Sequence, residues 1–584
     1  MLRRAVIFAL LAGAFAAPVG AQPKPLLPGV TYERGVQFTT HGPVALHILT
    51  MPRPGGLYAL RPILSNEAIL GKETVTAMQK RVSAQATVAS INGDLFNFAD
   101  GHPSGALMRN GILDHPPLGE RSSIGIDSTG GLHVDRVRFF GTWRGTGQRR
   151  PLNGLNETPE NGQVVLFTPA WGPATPKLPG VAEAVVAPFA ATIPNADLTG
   201  PVVQVTEGGG GTPIPAGGAV LVARGTTIAP KLLAEAPVGT TLTTRLILQP
   251  DWTGVTDALG GGPVLVRNGK PVFRSFEGFT TDQLTPRDPR SAVGQLADGR
   301  IILVAVDGRQ PGYSAGVTNF ELAQTMARLG AVTASGLDAG GSTTMAFDGQ
   351  LLNRPSDRRE RPIAEALTIF YYGVYAPPPT ADVLSPNGDG IDESETLGYK
   401  IVRPSTVTAS LVGPGQVTIP VETAVLKQPG TYPFAWDGVD PTGAPVPEGR
   451  WHWAVTATDD TGVTSTIDRP FSLNLTLAGV AARPALLRVR PRGATLVAGF
   501  RLAHPARIAL RIETAAGTIL RTVTGGQQQA GDGRISWNGL SGRGTAVYPG
   551  RYLARVLATN EFGTAQLTAP FTVRRVAGPK KKHK

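Results

Sequence analysis

Four aspartates, three of them where apolar runs end, have as neighbours the residue types that handle a phosphate ester. The run Ile301-Ile302-Leu303-Val304-Ala305-Val306 ends in Asp307-Gly308-Arg309. Leu337-Asp338-Ala339-Gly340-Gly341-Ser342-Thr343 joins a carboxylate to two glycines and two hydroxyls. Such a turn lets backbone N–H groups approach an anion closely. Asn92-Gly93-Asp94 closes another apolar run, and Asn353-Arg354-Pro355-Ser356-Asp357 leads into Glu360 among four arginines. Taken singly, these are turns and flexible loops. Together, carboxylates, arginines and a glycine-rich turn suit a substrate with both a phosphate and a reacting carbon.

Other chemistries are poorly supplied. There is no Cys, which removes thiol catalysis, disulfides and Cys-ligated metals. None of the eight His lies between positions 134 and 451, so a Ser-His-Asp triad or His-rich zinc site is not expected there. His102, within Gly101-His102-Pro103, reads as a loop residue. A two-metal nucleotide phosphodiesterase would want a His/Asp cluster that is missing. Walker A is also absent.

The elements that must position these residues are mostly strands. Asn110-Gly111, Asn268-Gly269, Asp298-Gly299 and Asp348-Gly349 each lie beside β-branched runs and read as hairpin turns. Thr318-Asn319-Phe320-Glu321 is a capping box, Leu322, Met326 and Leu329 share a face, and Gly330 ends that helix. A second helix is expected over 67–81, capped by Ser65 or Asn66. The region 22–375 therefore reads as an α+β domain rich in antiparallel strands. It also repeats faintly: an Asn-Gly hairpin then an Arg-Ser strand occurs at Arg109-Asn110-Gly111 and Arg121-Ser122, and again at Arg267-Asn268-Gly269 and Arg290-Ser291. Two related half-sheets are inferred, separated by an insertion or subdomain over 141–253.

These motifs, in this order, resemble the phosphodiester glycosidase family, whose mammalian member uncovers the mannose-6-phosphate tag. The resemblance rests on Asn92-Gly93-Asp94, Gly262-Pro263, Pro289-Arg290-Ser291, Asp307-Gly308-Arg309, Leu329-Gly330, Leu337-Asp338 with Gly340-Gly341-Ser342-Thr343, and Asn353 through Pro362. Ala339 stands where the family usually has Gly. The resemblance implies hydrolysis of an N-acetylglucosamine-1-phosphodiester or similar sugar-1-phosphate diester. Asp94, Asp307, Asp338 and Asp357 are the catalytic candidates, with their individual roles open. Asp307 or Asp338 would orient water or stabilise an oxocarbenium-like centre, and Asp94 or Asp357 would be the second carboxylate or bind sugar hydroxyls. Arg290 and Arg309 would hold the diester. Asn92, Gly340, Gly341, Ser342, Thr343 and Glu360 complete the expected substrate contacts. No cofactor is expected for the reaction. The alternative is a non-catalytic surface protein that binds a sugar phosphate or glycan.

The C-terminal third carries a second repeat. Phe434-Ala435-Trp436-Asp437-Gly438 recurs as Ile535-Ser536-Trp537-Asn538-Gly539, and Gly449-Arg450-Trp451 as Gly550-Arg551-Tyr552. Two all-β Ig-like sandwiches are expected, at 380–474 and 475–577. They resemble the Ig-like domains of the flagellar hook-cap type. In the entry loop, Asn387, Asp389 and Asp392 offer alternating oxygens for a structural Ca2+, the other reading being an Asx-turn.

Length and charge frame this organisation. At about 100–200 residues per domain, 584 residues suggest three to five domains. The net charge of +12 falls to about +6 once Arg3, Arg4 and the lysines of 578–584 are set aside, so no nucleic-acid partner is expected. Arg3 and Arg4, the apolar run 5–17 and Val19-Gly20-Ala21 form a secretory signal peptide over 1–21. The expected protein is secreted, periplasmic or cell-surface, without a transmembrane helix after cleavage. Its partners are a glycan or sugar-1-phosphate diester and a cell-wall or envelope polymer.

Overall fold

The computed structural model describes residues 19–20, 22–272, 275–490 and 493–576. Apart from Val19–Gly20, the expected leader lies outside the described residues, as does the basic tail over 578–584. The chain divides into two compact units, the first ending at Tyr372 and the second beginning at Gly373. Strand accounts for 53% of the chain and helix for 7%. The expected α+β character thus reduces to a mostly antiparallel β domain carrying, among the described residues, four short α-helices: α1 (Val75–Val82), α2 (Ala229–Glu235), α3 (Thr281–Leu284) and α4 (Asn319–Arg328).

Among its described residues the first unit contains four sheets. In one, the consecutive neighbours are Ile301–Val306, Arg290–Leu296, Ala331–Gly336, Val264–Arg267 and Lys270–Pro271. In another they are Leu132–Arg136, Ser122–Asp127, Val255–Gly260, Leu107–Arg109 and Ile112–His115. The two orders coincide strand for strand. Each runs from the strand that follows the Arg-Ser strand in the chain, through the Arg-Ser strand and a later strand, to the Asn-Gly hairpin, which is the internal repeat expressed as topology; in the first sheet Ile301–Val306 also pairs on its other side with Gly42–Met51. At both turns the Asn and Gly have positive φ, the geometry a two-residue hairpin requires. A third sheet sets Thr87–Asn92 between Met345–Phe347 and Glu365–Tyr371. The segment between the half-sheets folds as a separate eight-stranded sheet around Trp143 and Leu246.

Local chemistry explains the helices. In α4 the Thr318 hydroxyl accepts from the Glu321 N–H at 3.2 Å, and the Glu321 carboxylate accepts from the Thr318 N–H at 2.9 Å. Leu322, Ala323 and Met326 are buried against the first sheet. The helix expected over 67–81 is shorter than its apolar spacing suggested. Gly71 has φ +124 and Asn66 φ +49, both outside helical space, so α1 starts only after Thr74, whose side chain accepts from the Ala77 N–H. Ser65 and Asn66 are therefore not its caps.

The second unit forms two sandwiches, antiparallel except for one parallel pair in each among the described residues, that carry the repeat into their hydrogen bonds. Trp436 Nε1 donates to the Val439 carbonyl and Trp537 Nε1 to the Leu540 carbonyl, at 2.7 and 2.8 Å. Trp451 Nε1 reaches the Pro447 carbonyl, and Tyr552 OH the Tyr548 carbonyl. Among the described residues no helix is long and apolar enough to cross a membrane.

Candidate active site

The site forms where strand ends from two sheets are stitched together. Thr87–Asn92, buried at all six positions, delivers Gly93 and Asp94, while Ala331–Gly336 delivers Leu337 and Asp338. The Asp338 N–H donates to the Gly93 carbonyl at 3.0 Å. Asn92 holds this seam. Its Nδ2 donates to the Asp338 carbonyl at 2.8 Å, and its Oδ1 accepts from Ser291 Oγ at 2.6 Å and the Thr344 N–H at 3.2 Å. Asn92 is thus a fully buried clamp and not a substrate contact.

A cleft of about 220 Å³ opens beside the seam, lined by Asp338, Ala339, Gly340, Arg290, Arg309 and Asp288 among others. Arg290 is buried and donates to three backbone carbonyls, those of Gln283, Pro286 and Val317, so it braces the cleft wall while lining it. Arg309, half-exposed with φ +58, donates through Nε to Asp288 Oδ1 at 2.7 Å. The rest of its guanidinium lies over Gly340, where an added Cβ would stand 3.2 Å from Nη2.

Asp94 lies behind Asp338. Arg121 grips it as a fork, Nη2 to Oδ2 at 3.1 Å and Nη1 to Oδ1 at 3.4 Å. Gly105 and Gly260 press on the same carboxylate, and a Cβ on either would collide with Oδ2. Burial pushes Asp94 up to about 6, against the lowering pull of Arg121 and the Leu95 N–H. Burial likewise pushes Asp338 up to about 6, opposed by Ser342 and the Ala339 N–H and reinforced by the charge of Asp94. A third acid adjoins them. Glu365 accepts from the Asp94 N–H through Oε1 at 3.3 Å, and its Oε2 is buried without a hydrogen-bond partner. Burial and then Asp94 hold its carboxyl well above the ordinary range. Three neighbouring acids, one of them held in an arginine fork, with values driven up mainly by desolvation, are typical of a site tuned for proton chemistry.

The other expected residues sit elsewhere. The Asp307 carboxylate is saturated by His47 Nε2 and Tyr313 OH (2.9 Å each), Asn353 Nδ2 (2.9 Å) and the Arg354 N–H (3.2 Å). It ties together segments from across the domain and has little left to offer a substrate. Asp357 pairs with Arg361 at 2.7 Å beside Gly341, outside the cleft lining. Glu360 receives the Thr76 N–H at 2.8 Å and Thr76 Oγ1 at 2.6 Å, and so caps the start of α1. The expected anion-binding turn is largely engaged internally. The N–H groups of Gly340, Ser342 and Thr343 donate to Pro289, Ala339 and Gly340 carbonyls, and the buried Thr343 Oγ1 has no partner. His102 is a loop residue paired with Asp100.

Arg121, Asp288 and Glu365 were not anticipated. Arg121 was legible as the repeat partner of Arg290, and Glu365 as a charge opening the otherwise apolar strand Glu365–Tyr371. In the second unit, Asn387 Oδ1 and Asp389 Oδ2 are buried without partners, while Asn387 Nδ2 donates to Ser385 and Gln566. Burial raises Asp389 above its ordinary value. Asp392 occupies a left-handed turn position. Among the described residues no group of three His, Asp or Glu side chains is arranged to hold a metal.

Comparison with known proteins agrees with both resemblances. Residues 194–370 match the family model for phosphodiester glycosidases, and residues 492–561 that for the FlgD Ig-like domain. The chain is 35% identical over 118 residues to the SPbeta prophage-derived uncharacterized protein YomE of Bacillus subtilis, a match covering 20% of this chain and 18% of that protein. It is 27% identical over 231 residues to the basal-body rod modification protein FlgD of Salmonella typhimurium, covering 39% of this chain and 83% of FlgD. Among solved structures, a hypothetical protein from Synechocystis aligns with TM-score 0.52 and 27% identity, over 61% of this chain and 64% of that one.

Proposed function

We propose that the first unit is an exported hydrolase that cleaves a sugar-1-phosphodiester, an N-acetylglucosamine-1-phosphate diester or a close analogue, on envelope or extracellular glycans. The observation that carries this reading is Asp338, a carboxyl raised to about 6, in the same small cleft as Arg290 and Arg309. The half-exposed Arg309 meets the diester phosphate through charge-assisted hydrogen bonds, while Asp288 fixes its orientation. The departing phosphate monoester is already a good leaving group, so strong general-acid help is unnecessary. Asp338 therefore acts as carboxylate, orienting water or stabilising positive charge at the anomeric carbon. Asp94 does not line the cleft and acts behind it, adding its charge repulsion to the burial that raises Asp338. A protein that only bound an anionic sugar phosphate would gain nothing from desolvated acids at this point. The Ig-like modules serve as spacers or adhesive units toward an envelope polymer.

The test offers the chain UDP-N-acetylglucosamine and a methyl N-acetylglucosamine-1-phosphate diester, with free sugar followed by mass spectrometry, with and without chelator. Sugar release that disappears in Asp338→Asn supports the reading. Saturable binding of the diester without release would instead establish a glycan-binding surface protein.

A further inference from the structure

A second hollow, about 540 Å³, adjoins the cleft and shares Pro263 and Asn319 with it as a common wall. The elements that build this wall divide by polarity. On α3, Asp282 and Gln283 line the cleft, whereas Leu284 lines the hollow. At the start of α4, Asn319 touches both and Phe320 only the hollow. The chain after Pro263 continues into the hollow as Val264 and Leu265. Among the described residues its one charged lining residue is Glu277, which is already engaged, with its two oxygens accepting the Val264 and Ser122 N–H groups at 2.7 Å each. At the rim, Phe276 is 81% exposed and Phe320 37%. Large exposed aromatics rimming an apolar concavity mark a surface that meets a ligand.

We infer that the substrate is amphipathic: the cleft takes its sugar-phosphate half, and the adjoining hollow takes an apolar leaving group, an alkyl or prenyl chain esterified to the same phosphate. This inference rests on the phosphodiester reading of the cleft. Ser275, Thr285, Thr318 and Asn319 also line the hollow, but the Thr285 and Thr318 hydroxyls already donate to the Thr281 carbonyl and the Glu321 carboxylate, so most hydroxyls of a polar acceptor sugar would face Leu284, Val264 and Phe320 without partners, which disfavours it. A chain instead gains about fourfold in affinity for each methylene it buries.

The experiment measures binding of methyl phosphate and octyl phosphate to the full chain by titration calorimetry, with octyl phosphate kept below its micellar range. Three buried methylenes already give about a sixtyfold preference for the octyl compound. Leu284→Asp and Phe320→Ser, each checked for an unchanged melting curve, should erase most of that ratio. Equal affinities for the two phosphates, or a preference that survives both substitutions, overturn the inference. Hydrolysis of methyl and octyl N-acetylglucosamine-1-phosphate diesters separates it from the reading beneath it. Equal KM values for the two diesters overturn the apolar subsite and leave the hydrolase standing. Chain-dependent binding with neither diester cleaved supports the subsite and removes the hydrolase.

Discussion

Replacing Asp338 by Asn keeps the size of the side chain and deletes its ionisation, so the two contributions of this residue can be weighed separately. Burial raises the carboxyl from 3.8 to about 6. At 1.36 kcal/mol per unit, that shift is about 3 kcal/mol of folding free energy. Its sign follows from proton binding. The folded state holds the proton more tightly than the unfolded one, so the associated stability is present in full below 3.8 and is lost as pH rises through 6. At pH 7.5 the wild-type protein bears the whole penalty of a buried charge. Asn escapes it but hydrogen-bonds its surroundings less well, since Asp338 Oδ1 now accepts from the Ala339 N–H at 2.8 Å. A weakened hydrogen bond of that kind costs about 1 kcal/mol. Asp338→Asn should therefore be about 2 kcal/mol more stable than wild type at pH 7.5 and about 1 kcal/mol less stable at pH 3.5, with turnover lost at both. Scanning calorimetry of both proteins at the two pH values reads the difference, and constant hydrogen-bond effects cancel between them. A stability difference that does not change between pH 3.5 and 7.5 would refute the claim that a desolvated carboxylate sits in this cleft. Retained turnover would remove Asp338 from the chemistry.

Arg121→Met leaves Asp94 buried without its fork, and breaking one side of such a pair costs about 3–5 kcal/mol. The loss should show as a lower Tm at pH 7.5 that narrows as pH falls toward 6, because without the lowering pull of Arg121 the Asp94 carboxyl takes up its proton at higher pH than in the wild type. Gly260→Ala sets a methyl group against Asp94 Oδ2, 2.9 Å from the Gly105 Cα, so at least 2 kcal/mol of stability and most turnover should go together. A variant with wild-type melting and activity would show that the Asp94 pocket is not tightly packed. Glu360→Ala removes the acceptor at the start of α1 and should lower stability by about 1 kcal/mol, with kcat/KM unchanged in steady-state assays of the diester.

The features legible in the amino-acid order are those governed by neighbours a few residues apart. The Thr318–Glu321 capping box, the Asn-Gly turns at 110 and 268 and the sandwich repeat depend on backbone sterics and short-range hydrogen bonds. The motif order likewise identifies the region that carries the site. The helix expected over 67–81 marks the limit of such reasoning. Its apolar spacing ran through Gly71, but the left-handed φ there and the cap at Thr74 decided where the helix begins. The four candidate aspartates looked alike because three of them close apolar runs in the same way. Their fates diverge through partners far away in the chain. Asp307 is spent on His47 and Asn353, whereas Asp94 meets Glu365, 271 positions later, and Asp338. Burial, pairing and the resulting pKa are sums over such distant contacts, and only the packed sheets bring them together.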